Sequence, residues 1–132
     1  MVTIDFNTKS LIESLAKKYK IIVEWDPSIN SIFQEQVNRE EKRMLIKENI
    51  DIDDFNGLFQ QHNVNYPVNR DQEMFIFNAL HGIGHFELNL WKPNTGDPIV
   101  DRLVNFDQDK DVDKWAFNKL VEVREQSLKI SQ

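Results

Sequence analysis

Residues 71–88 read Asp-Gln-Glu-Met-Phe-Ile-Phe-Asn-Ala-Leu-His-Gly-Ile-Gly-His-Phe-Glu-Leu. Phe75, Phe77, Ala79, Leu80 and Ile83 make this segment strongly apolar, as a buried helix is. The rest of the chain reads as elements arranged around it. Downstream, Pro93, Gly96 and Pro98 mark a loop. A last helix is then expected from about Asp109 to Leu128, where Val112, Trp115, Ala116, Lys119, Leu120 and Val123 recur three or four apart. Upstream, 63–69 with Pro67 reads as a turn, and Asp51 to Gln61 as a short helix with Ile52, Phe55, Leu58 and Phe59 on its apolar side. Arg43 to Lys47 carries the short apolar run Met44-Leu45-Ile46, and residues 31–37 alternate loosely. A hairpin across the polar break Asn38-Arg39-Glu40-Glu41 is expected there, with one charged helix over 31–47 as the competitor. Ile21 to Trp25 is short and β-branched, a strand stopped by Asp26-Pro27. Ser10-Leu11-Ile12-Glu13 fits a capping box, so a first helix is expected from about Thr8 to Lys20.

The 132 residues suit one domain, and a chain of helices with a few short strands is expected to be of α+β class. Hydrophobic content of 40% with 29% charged residues is that of a globular chain rather than a disordered one. The absence of cysteine excludes a disulfide scaffold, a thiolate zinc site and a Cys nucleophile. Apolar runs are only a few residues long and no secretion signal is visible, so no membrane association and a cytoplasmic location are expected. The net charge of −6 speaks against nucleic acid as a direct partner, since phosphate contacts need a basic surface.

Two of the three histidines are His81 and His85. Four residues apart on a helix, they share one face and can reach one metal ion. Two ligands do not fix a zinc site, and an incidental pair on a core helix is an equal alternative. The third, His62, lies in or after the short helix. Gly82 and Gly84 each cost a helix interior about 1 kcal/mol relative to Ala. Close packing of a backbone or ligand against this turn would explain them; so would a frayed or kinked helix end.

The segment Phe77 to Leu88 resembles the motif helix of the ImmA/IrrE family of metallopeptidases, an apolar helix carrying Ala-His-Glu-Leu-Gly-His. Asp109 to Val121 is similar to that family's downstream helix, Glu-x-x-Ala-x-x-(Phe/Trp)-Ala-x-x-x-Leu, whose Glu is the third zinc ligand. Matching Trp115-Ala116 to the aromatic-Ala pair puts Asp109 at the ligand position, with Asp113, one turn on, as the fallback. The resemblance implies a minimal zincin-like α+β domain over 1–132, a small β-sheet packed on a motif helix and a C-terminal helix, with an insertion at 50–68. It implies zinc held by His81, His85 and Asp109. It also implies a regulatory role of phage or mobile-element type beside a helix-turn-helix repressor. The departures are specific. The family's general-base Glu is Gly82 here, and glycine cannot take a proton from water. The third ligand is one methylene shorter, so its helix must sit closer. Glu87, Glu73, Asp53 and Asp54 are the carboxylates considered as substitute bases.

Asp107, Asp109, Asp111 and Asp113 alternate, but a calcium loop starting at Asp107 would need Gly where Val112 stands and Glu where Asn118 stands. These aspartates are expected at a helix N-terminus, where they favour the dipole. Trp91 follows the motif helix in an expected loop with Pro93 and is the candidate partner-binding residue. Three functions remain open: a regulatory protein that binds a protein partner, an active zinc peptidase with an unusual base, and an unrelated α+β binding protein.

Overall fold

The computed structural model describes residues 1–27, 35–61, 66–68, 71–91 and 93–131. Its centre is the apolar segment. Gln72–Glu87 forms a helix, α3 by order in the chain, and every residue from Met74 to Leu80 on it is buried. That run is long because α3 is touched on several sides: by the first helix α1 (Phe6–Lys18), the last helix α4 (Pro98–Ser131) and the strands β3 (Glu35–Asn38) and β4 (Arg43–Lys47). The architecture is α+β, helices with two small sheets.

The larger sheet has the order β2-β4-β3, where β2 is Ile22–Asp26. β2 runs parallel to β4, from Ile22 opposite Arg43 to Asp26 opposite Lys47, and β3 runs antiparallel, with Val37 opposite Met44. The expected hairpin is therefore present over 35–47, and residues 31–34 lie outside the described residues. β4 is the central strand, which is why Met44 and Ile46 are wholly buried towards the core. A second, two-stranded sheet joins β1 (Val2–Thr3) to β5 (Asn49–Ile50). Strands of two residues are too short to show a period in the sequence.

α1 corrects one expectation. It starts at Phe6 rather than Thr8, capped by Asp5, whose Oδ1 accepts from the Thr8 N–H at 2.7 Å. Ser10 is exposed inside the helix, and no capping box forms; Glu13 instead accepts from the Trp25 indole at 3.0 Å. Both Asp and Ser are good caps, but Asp5 comes first and gives the helix another turn. Ile12 and Ala16 face the core.

The helix α2 (Ile52–Gln61) lies where the insertion was expected, yet 50–68 supplies Ile50, Phe55 and Val68 to the core. Phe55 meets Phe77 of α3 edge-on, ring centroids 6.0 Å apart. The side chains of Leu58 and Phe59, His62 and most of the 63–69 turn lie outside the described residues.

α4 corrects a second expectation. It begins at Pro98, not near Asp109. Pro98 starts the helix instead of belonging to the loop, because its missing N–H costs nothing in the first turn. Asp97 accepts from the N–H groups of Ile99 and Val100, and the buried Asp101 accepts from the Thr95 N–H and hydroxyl. Asp107, Asp109, Asp111 and Asp113 therefore sit well inside a helix and do not serve its N-terminus. Among the described residues no helix is long and apolar enough to cross a membrane.

Candidate metal centre

α3 and α4 pack antiparallel. Near the start of α3, Glu73 takes two hydrogen bonds from Arg124, at 2.7 and 2.5 Å, and Arg124 also donates to the Pro67 carbonyl. Near its end, Gly84 faces Val112 and Trp115. A Cβ at Gly84 would lie 3.0 Å from Val112 Cγ1 and 3.1 Å from Trp115 Cε3. This is the reason for at least one of the two glycines: the helices approach closely, and Gly84 is helical rather than frayed. Gly82, at the general-base position, is also helical and buried.

Close approach brings Asp109 onto the histidines. His81 Nε2 and His85 Nε2 are 3.2 Å apart, and Asp109 Oδ1 lies 3.6 Å from the first and 3.5 Å from the second. Zinc–nitrogen and zinc–oxygen bonds of about 2.0–2.1 Å in a tetrahedron set neighbouring donors about 3.3–3.4 Å apart. The triangle of three donors has that size. Among the described residues this is the one cluster of His, Cys, Asp or Glu that can hold a metal ion. The side chains are 15%, 11% and 25% exposed, so the donors sit at the surface end of a mostly buried site.

The far side of each ring is equally defined. His81 Nδ1 is 2.6 Å from Asp113 Oδ1, and His85 Nδ1 is 2.8 Å from the Leu90 carbonyl oxygen. A carbonyl oxygen can only accept, so His85 Nδ1 carries the proton; an ionised Asp113 requires the same of His81. Both Nε2 atoms are then the metal-facing nitrogens, in the tautomer that metal-binding histidines adopt. The fallback ligand Asp113 thus stays out of the triangle and orients His81 from behind. Asp109 and Asp113, four apart on α4, meet the two histidines four apart on α3.

The charges follow the geometry. Burial opposes ionisation of Asp109, but when the two rings carry a proton on Nε2 as well as on Nδ1, their hydrogen bonds and charge outweigh it and hold its carboxyl well below the usual carboxylate range. Burial, aided by the negative charge of Asp113, pushes the Tyr66 hydroxyl up, which keeps the phenol neutral.

The carboxylates considered as substitute bases sit elsewhere. Glu73 is engaged by Arg124, Glu87 is exposed on the last turn of α3, and Asp53 and Asp54 are exposed on the first turn of α2. Trp91 is half-buried beside the site. Its ring lies 6.1 Å from that of His85, inclined by 28°, and edge-on to Phe86 at 5.0 Å. The Arg39 guanidinium lies over the Trp91 ring, 5.1 Å from its centroid. The residues that sequence reasoning missed are Asn89 and Leu90. The available signal was an Asn just past the end of an apolar helix, the usual place for a left-handed cap.

Searches against family models, curated proteins and solved structures gave no match to this chain.

Proposed function

We propose that this chain is a zinc-binding regulatory protein on a zincin-like scaffold of ImmA/IrrE type, and that it acts in the cytoplasm by holding a protein partner rather than by cutting one. The observation that carries the zinc reading is the donor triangle of His81, His85 and Asp109, with both outer ring nitrogens already committed to Asp113 and Leu90. His81 Nε2, His85 Nε2 and Asp109 Oδ1 would hold the ion. Zinc bound there would supply Lewis acidity. The chain's own part in hydrolysis is missing: Gly82 offers no group to take or pass a proton, and Asp113 is spent on orienting His81.

A helix-turn-helix repressor is the partner the family resemblance suggests. The net charge of −6 supports a basic partner by electrostatic complementarity, and Trp91 with Arg39 forms an aromatic, half-exposed edge next to the site. Nucleic acid and membrane are not assigned as partners.

The test is metal content by mass spectrometry on untagged protein purified without chelators, beside a His81→Ala/His85→Ala control. Near-stoichiometric zinc that disappears in the control is expected. Metal-free wild type, or a control that keeps its zinc, would sink the zinc reading. Cleavage of a captured partner by the zinc-loaded protein would instead overturn the choice of binding over catalysis. Trp91→Ala is expected to weaken partner capture without releasing zinc.

A further inference from the structure

We propose that Asn89 is a positioning residue for His85, acting through the backbone turn it builds and not through any contact with the metal donors. The proposal rests on the reading of His85 as a metal ligand. Asn89 has φ of +53°, one of three non-glycine residues among those described in the left-handed region, with Lys20 and Lys42. Asparagine enters that region more readily than most residues with a Cβ.

The turn has a particular product. The Asn89 N–H donates to the Phe86 carbonyl at 3.3 Å, and the Leu90 N–H donates to the His85 carbonyl at 3.1 Å. This is the pair of bonds that closes a helix through a left-handed residue. Here it folds Leu90 back over His85, so that the Leu90 carbonyl also accepts from the His85 ring at 2.8 Å. One residue therefore holds His85 twice, by its backbone and by its imidazole. The consequence is chemical: the proton is kept on Nδ1, and Nε2 presents its lone pair beside His81 and Asp109. The two histidines are oriented by different devices, His81 by a carboxylate from α4 and His85 by the cap of its own helix. The Asn89 side chain secures the turn further, since its Oδ1 accepts from the Trp91 indole at 2.8 Å and from Arg39 Nη2 at 3.4 Å. No side-chain atom of Asn89 is needed at the metal.

The experiment compares wild type with Asn89→Val, Asn89→Gly and Lys20→Val. Zinc affinity is read by competition with a chromophoric chelator. The His85 tautomer is read by nitrogen-15 NMR on metal-free protein at a pH where the ring is neutral. Valine opposes the left-handed turn and glycine permits it. Asn89→Val is expected to weaken zinc binding about 10- to 100-fold, the usual effect of losing an outer partner of a metal-bound histidine, and to give His85 mixed tautomers. Asn89→Gly keeps the wild-type affinity and tautomer. Lys20→Val imposes the same backbone strain between α1 and β2, lowering the melting temperature while leaving zinc affinity unchanged. Asn89→Ala carries the same expectation in milder form should the valine variant not fold. The proposal is overturned if Asn89→Val keeps wild-type affinity and tautomer, if Asn89→Gly fails as badly as valine, or if Lys20→Val weakens zinc as much. Should wild type bind no zinc, the metal reading falls, and the tautomers of the metal-free proteins alone decide whether Asn89 positions His85.

Discussion

Replacing Gly84 by alanine sets two effects of similar size against each other. Alanine favours a helix interior over glycine by about 1 kcal/mol. Against this, the new methyl would sit 3.0 Å from Val112 Cγ1 and 3.1 Å from Trp115 Cε3, where carbon atoms prefer about 3.5–4.0 Å. Relief needs a shift of about 0.5 Å. Neither neighbour can give it easily. Val112 is wholly buried, and Trp115 is held edge-on by Tyr19 at 6.2 Å and by Lys119 over its ring. Overpacking of this kind costs about 1–3 kcal/mol, so Gly84→Ala is expected to lose about 1 kcal/mol net, or about 3–5 °C in melting temperature. α4 then yields by moving off α3, and Asp109 moves with it. Its contacts of 3.5 and 3.6 Å to the histidines are already the longer edges of the triangle, so zinc affinity falls as well. Gly57, in the interior of α2, is the matched control, because a Cβ there meets nothing within 4 Å. Gly57→Ala is expected to stabilise the fold by up to about 1 kcal/mol and to leave zinc binding alone. Urea denaturation and chelator competition read both quantities. A Gly84→Ala protein as stabilised as Gly57→Ala, with wild-type zinc affinity, would refute the close-packing argument.

Zinc at 100 times its dissociation constant should stabilise the fold by about 2.7 kcal/mol, and the melting shift should vanish in His81→Ala/His85→Ala; a shift that persists there would place the ion elsewhere. In metal-free protein at a pH where His81 and His85 are protonated, the Asp109 carboxyl is held below its unfolded value of about 3.9, so its contribution to stability is present above that value and is lost as the pH falls towards the folded value. Asp109→Asn should therefore be less stable than wild type at about pH 5, where the histidines are charged, and lose less on going to about pH 3, and identical acid profiles by urea denaturation would contradict this. Asp5→Ala should lower the melting temperature more than Ser10→Ala, because Asp5 caps α1 and Ser10 sits exposed within it; the reverse order would restore the capping box.

The elements that were legible from the residues are those with a strong period. α3 announces itself by continuous apolar character, β4 by Met44-Leu45-Ile46, and the later part of α4 by Val112, Ala116 and Leu120, all of which are buried. The first turns of α4 were not legible because their apolar residues face outward: Ile99 is 72% and Leu103 61% exposed, so no core-facing stripe marks them. In the sequence Pro98 resembles a breaker, yet its place is the first helical position. At the site, the spacing of His81 and His85 was visible at once, but Asp109 came only from the family resemblance. Nothing local separates it from Asp107 or Asp111. The distinction lies in the helical face, since Asp109 and Asp113 fall on the stripe that continues through Ala116 and Leu120 to meet α3. The role of the Leu90 carbonyl could not be read from a side-chain pattern, because a backbone oxygen does that work.

The pairing of α3 with α4 also bears on the order in which the chain assembles. His81 and His85 are neighbours in any helical turn, whereas Asp109 comes from α4 and meets them only when the two helices have closed on each other. The segment between them, 88–97, is short, and a helical hairpin with so small a loop forms faster than pairings between distant strands. The β1–β5 pairing, Val2 with Ile50, must wait for more distant parts of the chain to meet. The α3 helix alone thus offers a metal two donors, and the folded helical hairpin offers three. The third donor makes the ion a reporter on one folding event, the closure of α4 onto α3.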